Sequence, residues 1–267
     1  MNANAVTKYT WIGYTSARSN LAYIGEVISR TTFMATILYI FMRLWTVVYA
    51  GAATERLGGL TLQQMIWYLM MTESIFLSSP RVSMEIDEDV RTGRLAVQLL
   101  RPLSYAIARL AQGLGERIVR FGVNLAAGLA VAIVLAGPIP FSPLGLAMFA
   151  MVLPLAFVVE FLGFFAIGLC AFWLESTAGL TLIYSRLTML LGGMLLPMEI
   201  FPSALQPIVR SLPFASMVYG PARVFVAADR AVFIHTLATQ ASAFLVFGAI
   251  AWAVQRAALK CIQSNGG

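Results

Sequence analysis

The chain has 267 residues, of which 60% are hydrophobic and 11% are charged, and it carries a formal net charge of +6. A soluble domain normally has about 25% charged residues, so this composition excludes an ordinary water-soluble fold and indicates a single polytopic membrane domain over residues 1–267. The sequence has one histidine and two cysteines without motif spacing. A histidine-based catalytic or metal cluster and a disulfide framework within this chain are therefore excluded.

Residues 1–31 are polar to amphipathic. Their apolar side chains recur at three- and four-residue steps, which places them on one helical face: Trp11, Tyr14, Ala17, Leu21, Ile24 and Ile28. The pattern predicts an amphipathic N-terminal helix. Such a helix lies on the cytoplasmic leaflet, packs against the rest of the chain, or does both.

Apolar segments long enough to cross a bilayer follow. They are predicted at residues 32–52, 61–79, 121–136, 144–174, 180–196 and 231–254. The third could begin near Gly113. The fourth exceeds the roughly 20 residues that a bilayer needs, so we expect a tilt or a kink at Pro154. The fold class is an all-α polytopic membrane protein with six transmembrane helices and both termini on the same side.

The connection between the second and third spans, residues 81–112, is rich in arginine. Its arginines are Arg81, Arg91, Arg94, Arg101 and Arg109, with Arg117 and Arg120 just beyond. Because basic residues concentrate in cytoplasmic loops, this excess places the connection and both termini in the cytoplasm.

Met84–Pro102 is the most heavily charged stretch of the chain, with four acids followed by arginines. Each charge at the bilayer centre costs about 2.5–3.5 kcal/mol, so this stretch must lie in water. It is either a docking helix for a partner or a solvated loop that only sets the orientation of the chain.

Residues 197–230 are moderately apolar but too rich in proline to span a membrane. Short helical pieces are predicted near 203–211 and 214–225. Apolar backbone that does not span must be buried in protein or line a cavity, which predicts an outer re-entrant hairpin between spans five and six.

The predicted spans contain ionisable residues of balanced charge: Arg43, Glu73, Glu160 and Arg186. One interpretation is that they form interhelical ion pairs that orient the bundle. The alternative is a polar lining for a substrate path, in which Trp45, Trp67 and Tyr68 would offer aromatic faces to a cation.

The sequence contains no P-loop, no G-x-S-x-G, no H-E-x-x-H and no C-x-x-C motif. We therefore expect no catalytic residue, metal or cofactor in this chain, and any energy from ATP must be supplied by another subunit.

Two segments carry a resemblance to a known family. Glu85-Ile86-Asp87 through Gly93-Arg94-Leu95 to Leu99-Leu100-Arg101-Pro102 resembles the E-x(n)-G-x-L-x(4)-L-x-P cytoplasmic element of type-2 ABC exporter permeases. Gly192-Gly193-Met194-Leu195-Leu196-Pro197, followed by Pro202 and Leu212-Pro213-Phe214, is similar to the outer hairpin of that family. The topology agrees over nearly the whole chain.

The resemblance implies a permease of the bacterial inner membrane, which exports drugs, lipids or polysaccharides together with a second permease copy or paralogue. A separate cytoplasmic ABC ATPase dimer would bind ATP and Mg²⁺. Its contacts are expected at Glu85, Asp87, Glu88, Asp89, Arg91, Gly93, Arg94 and Arg101. The translocation path is expected at Arg43, Glu73, Glu160, Arg186, Trp45, Trp67 and Tyr68. The outer gate is expected at Pro197, Glu199, Pro202 and Pro213.

The substrate is expected to be hydrophobic or amphipathic. Glu73 and Glu160 near aromatic residues suggest an organic cation, and a lipid or polymer is the alternative. Two other functions remain open for the chain: a non-transporting membrane scaffold that recruits a cytoplasmic partner, and a membrane enzyme that acts on lipid.

Overall fold

A computed structural model of the chain describes residues 3–20, 24–52, 55–139 and 142–265, and in these ranges it is helical with no strand. The α-helices in chain order are α1 (Ala3–Asn20), α2 (Ile24–Gly51), α3 (Leu62–Leu77), α4 (Val82–Arg91), α5 (Arg94–Leu99), α6 (Tyr105–Ala136), α7 (Pro143–Leu169), α8 (Ala178–Leu191), α9 (Gln206–Ser211), α10 (Pro213–Met217), α11 (Tyr219–Val226) and α12 (Arg230–Asn265). The 3₁₀ turn Cys170–Phe172 follows α7, and a second 3₁₀ turn, Met198–Ile200, precedes α9.

Within the described ranges, four helical segments are long and apolar enough to cross a membrane: Thr32–Gly51, Tyr105–Ala136, Pro143–Phe172 and Arg230–Cys261. These four confirm an all-α polytopic membrane protein. Helices also form at the predicted second and fifth spans, but α3 has 16 residues and α8 has 14. At 1.5 Å per residue they are about 24 Å and 21 Å long, shorter than a hydrocarbon core of about 30 Å. The six-span topology therefore stays a prediction.

Several boundaries differ from the prediction. Helix α6 begins at Tyr105, so its first turns occupy part of the connection predicted at 81–112. Arginine is a good helix former, so these arginines do not interrupt the helix, and acids on α4 and α7 pair with Arg109 and Arg117. Helix α7 runs from Pro143 to Leu169 through Pro154.

Helix α3 forms the centre of the core. Every residue from Met65 to Ile75 is buried, against α2, α6 and α11. A helix that is covered on all sides belongs in a protein interior rather than at a lipid-facing surface. A capping box at Thr61 and Gln64 fixes its start, and Pro80 follows its end.

Helix α1 packs along α6, as one of the two interpretations of the N-terminal pattern predicts. Gly13 and Gly115 meet at the contact, where a Cβ on Gly115 would lie 2.1 Å from the Gly13 carbonyl oxygen. Trp11 and Tyr14 are exposed, and Tyr14 also lines a groove between α1 and α6, so α1 keeps aromatic surface outside its contact with α6. Leu21 lies outside the described residues, and Ile24 and Ile28, predicted on the same helix, belong to α2 instead.

Candidate functional site

The charged stretch forms two short helices joined at Gly93. Helix α4 buries Val82 and Ile86, and it lies so close to α7 that a Cβ on Gly168 would be 2.7 Å from the Ile86 Cβ. Gly93 has a φ of +71°, a left-handed conformation that L-residues with a side chain rarely adopt. This conformation lets the chain turn from α4 into α5.

Two of the acids on α4 contact other helices of the chain: Asp89, which is buried, and Glu85, which is partly exposed. Arg109 on α6 forms an ion pair with Asp89 and lies 3.1 Å from the Glu85 carboxylate. The Tyr105 hydroxyl donates to Asp89 at 2.9 Å, and the Gln98 amide of α5 donates to it at 3.2 Å. Burial raises the pKa of Glu85, although Arg109 opposes this shift. Glu85 and Asp89 therefore join α4 to α5 and α6, and little of Asp89 is left for a partner protein.

Asp87 fastens α4 to the turn that precedes α8. It accepts hydrogen bonds from Arg91 at 2.7 Å and from the Thr177 N–H at 3.2 Å. Partial burial raises the pKa of Asp87, but these hydrogen bonds outweigh it and hold the pKa below its usual value. Glu88 pairs with Arg94 at 2.6 Å, and both of these side chains are exposed.

Part of the exposed surface of this stretch is apolar. Val97 is 61% exposed and Leu100 is 86% exposed, while Leu95 on the opposite side of α5 is buried. Arg101 beside them is also exposed. Val97 and Leu100 were missing from the predicted contact set, although their three-residue spacing on an amphipathic helix was a usable signal.

A buried ion pair joins α6 to α7. The Arg117 guanidinium lies 2.5 Å from the Glu160 carboxylate, and the two residues are 2% and 3% exposed. The Ser79 hydroxyl donates to the same carboxylate, and Arg117 lies 3.8 Å from the centre of the Phe157 ring. Sequence reasoning placed Arg117 beyond the cytoplasmic connection and missed this pairing.

Glu73 is buried near the middle of α3, and it makes no hydrogen bond or ion pair within the part of the chain that the structure describes. The aromatic residues of the predicted path are buried as well. Trp67 donates to the Gly137 carbonyl at 3.0 Å, and the Tyr68 hydroxyl donates to the Gly193 carbonyl. Trp45 is buried without a partner for its indole N–H among the described residues.

Arg43 and Arg186 lie on the outside of the chain. Both are exposed, and Arg43 makes no ion pair with any described residue. Their neighbours one turn away are exposed and apolar, with Tyr39 and Val47 beside Arg43 and with Leu182 and Leu190 beside Arg186. The four intramembrane charges therefore do not form the ion pairs with one another that one of the two interpretations predicts. Glu160 pairs with Arg117 instead, and Arg43 and Arg186 face outward.

The proline-rich segment forms 3₁₀ turn Met198–Ile200 and helices α9 to α11, close to the predicted helical pieces. Pro197 precedes the turn, Pro202 follows it, and Pro213 opens α10. The start of this segment is tied to α3, because Tyr68 binds the Gly193 carbonyl and Thr72 donates to the Met194 carbonyl at 3.1 Å.

Glu199 is the ionic centre of this predicted outer segment, residues 197–230. Its Oε1 accepts from the Tyr219 hydroxyl at 2.5 Å and from Arg223 Nε at 3.3 Å, and an Arg210 nitrogen lies 4.0 Å away. These contacts join the 3₁₀ turn to α11 and α9. Among the predicted gate residues, Glu199 is the one whose side chain joins separate parts of the segment.

Comparison with known proteins identifies the family of this chain. The model of a family described as "ABC-2 family transporter protein" matches residues 17–266. No curated protein matches the chain, and no solved structure does. The family match covers nearly all of the chain and agrees with the apolar helices described above. The chain therefore belongs to the ABC-2 family of transporter proteins, as a multi-pass membrane component that associates with an ABC ATPase.

Proposed function

We propose that this chain is the permease subunit of an ATP-driven exporter in a bacterial inner membrane, with both termini in the cytoplasm. It works in a pair with a second permease copy or a paralogue, and a separate ATPase dimer binds ATP and Mg²⁺. The observation that carries the proposal is the exposed apolar tip of α5, formed by Val97 and Leu100. Among the exposed parts of the charged stretch, this tip is suited to fill a groove on a cytoplasmic protein.

The contacts of α4 and α5 support a route from that tip into the membrane. Leu100 lies at the end of α5, Gln98 of α5 bonds Asp89 of α4, and Asp89 bonds Arg109 at the start of α6. Helix α6 continues into a candidate span. Movement of a docked ATPase would therefore displace a membrane helix through a short chain of polar contacts.

Arg43 and Arg186 support a path on the outside of the single chain. A charge near the middle of a span is costly against lipid, so such residues normally face a protein partner or a water-filled cavity. Both are exposed on otherwise apolar faces of α2 and α8. We infer that these faces meet the second permease, with the translocation path between the two subunits.

For the substrate we retain a hydrophobic or amphipathic compound. The case for a cation now rests on Glu73, because Glu160 is neutralised by Arg117. Glu73 is buried inside the single chain without a partner among the described residues, so the helices that cover α3 would have to separate before a cation from the path could reach it and supply the missing charge. Export of an organic cation should fall with Glu73→Gln, and unchanged export would remove the hypothesis.

Substitution of Leu100 at the tip of α5 tests whether the chain binds an ATPase, which distinguishes an exporter permease from a scaffold or a lipid enzyme. The chain and an ABC ATPase from the same organism would be expressed together, and the ATPase retained with the purified permease would be measured. Leu100→Asp should abolish retention, whereas the matched Leu174→Asp, at another exposed leucine on the same proposed side, should not. Retention of a P-loop ATPase favours the exporter over the scaffold or the lipid enzyme. Full retention by Leu100→Asp would refute docking at α5.

A further inference from the structure

A cavity of about 430 Å³ lies between the outer segment and the first turns of α12. Its volume falls in the range of about 300–1,000 Å³ that is usual for small-molecule sites. Pro207, Ala231 and Val232 contribute apolar wall, while Arg210, Tyr219 and His235 contribute polar groups. A mostly apolar cavity with a few polar groups at one side suits an amphipathic ligand.

The polar side of this cavity carries excess positive charge. Arg210 and Arg223 share the single carboxylate of Glu199, whose Oε1 already accepts from Arg223 and Tyr219. Arg210 lies at the 4.0 Å limit of an ion pair, and its Nε has no partner among the described residues. Asp229 nearby is engaged at the start of α12, where it accepts from the Ala231 and Val232 N–H groups. Arg210 is therefore a cation without a carboxylate of its own.

The position of the cavity along α12 matches the head-group layer of a membrane. Arg230 begins the candidate span Arg230–Cys261, and His235 follows five residues later. Five residues of α-helix advance about 7.5 Å, and the head-group layer on each side of a bilayer is roughly 5–7 Å thick. The cavity, whose lining on α12 continues to Thr239, thus begins in the layer where the phosphates of lipids are found and extends into the hydrocarbon.

We propose that this cavity binds the phosphate head group of an acidic membrane lipid, with Arg210 as the main partner of the phosphate. The planar guanidinium group matches phosphate oxygens with two parallel N–H donors, and basic pockets beside membrane helices are suited to lipid head groups. The apolar wall would contact the glycerol and the upper acyl chain. The bound lipid would join the outer segment to α12.

Lipid retention by the full permease–ATPase complex tests this site without any transport measurement. The complex would be equilibrated in nanodiscs of equal phosphatidylglycerol and phosphatidylcholine, extracted with detergent, and its retained lipids quantified by mass spectrometry. We expect the wild type to retain phosphatidylglycerol preferentially. Arg210→Gln should lower that retention roughly tenfold, the value of one charge-assisted hydrogen bond of about 1.4 kcal/mol or more.

Two further variants keep the test decisive. Ala231→Trp fills the cavity without changing its charge and should lower retention equally, while Arg230→Gln removes an exposed cation that does not line the cavity and should retain the wild-type level. Melting temperatures would confirm that each variant is folded. The proposal is overturned if Arg210→Gln and Ala231→Trp both retain lipid like the wild type, or if Arg230→Gln loses as much as Arg210→Gln. Release of the lipid by millimolar inorganic phosphate would also overturn it, since the site would then bind a soluble anion.

Discussion

Arg117 on α6 and Glu160 on α7 form an ion pair of 2.5 Å inside the helix bundle, and neither side chain reaches the surface. The pair lies beside the end of α3, because Ser79, which follows α3, bonds the same carboxylate. It therefore holds together three helices through which a docking signal would pass.

Removal of one member of this pair should be strongly destabilising. Glu160→Gln leaves the buried Arg117 charge uncompensated, and breaking a buried pair in this way costs about 3–5 kcal/mol. We expect a large drop in the melting temperature of the purified chain. The matched variant Glu175→Gln changes an exposed acid and should leave the melting temperature within error. The double variant Arg117→Met with Glu160→Leu should recover most of the loss, and an equally low melting temperature for that variant would show that the charge is not the cause.

Replacement of Arg109 should weaken the coupling of ATP hydrolysis to substrate more than it weakens binding of the ATPase. Arg109→Gln removes the ion pairs with Glu85 and Asp89 but leaves Val97 and Leu100 in place. We expect the ATPase to remain bound, while stimulation of ATP hydrolysis by substrate falls severalfold. Arg256→Gln, at an exposed arginine that packs on Trp252 near the other end of the chain, is the control. If the variant lost both ATPase binding and the stimulation of ATP hydrolysis, Arg109 would shape the docking surface itself.

A substitution at Gly93 should cost less when the new residue adopts the left-handed backbone conformation easily. A Cβ at this position meets no atom within 4 Å, so the cost of substitution comes from the φ of +71° alone. Gly93→Asn should cost little because asparagine visits this region, whereas Gly93→Val should cost roughly 1–2 kcal/mol or unwind the joint. ATPase retention should follow the same order. Equal retention by the two variants would show that the joint has no part in docking.

Acid should loosen the attachment of α4 to the turn before α8. The pKa of Asp87 is lower in the folded protein than its ordinary value of 3.8, so its stabilising contribution is fully present above pH 3.8 and is lost as the pH falls through the folded value. Hydrogen exchange of the Thr177 amide, which donates to Asp87, should therefore accelerate more in acid than its intrinsic rate predicts. In Asp87→Asn this additional pH dependence should vanish, and its persistence would assign the effect to another group.

Much of the fold follows from local sequence patterns. Apolar length located the candidate spans, three- and four-residue steps located α1, and the prolines of 197–230 located the short helices of the outer segment. The Gly-rich and charged motifs indicated the right family. These features depend on residues that are close in the sequence, which is why they could be predicted.

The pairing of charges could not be predicted in the same way. Arg117 and Glu160 are 43 positions apart, and their contact depends on how α6 packs on α7. The outward positions of Arg43 and Arg186 likewise depend on the packing of α2 and α8. The exposed apolar spacing of Val97 and Leu100 is a local pattern, whereas the internal contacts of Glu85, Asp87 and Asp89 depend on how α4 packs on its neighbours.

Cross-linking from the tip of α5 tests the central claim of ATPase docking most directly. With Cys170 and Cys261 replaced by serine, Leu100→Cys would carry a short photo-activated cross-linker in membranes that contain the complete transporter. We expect the cross-linked product to contain the P-loop ATPase, and we expect none from Trp11→Cys on the exposed face of α1. Absence of the ATPase from the Leu100→Cys product, with transport intact, would contradict the assignment of α5 as the docking helix.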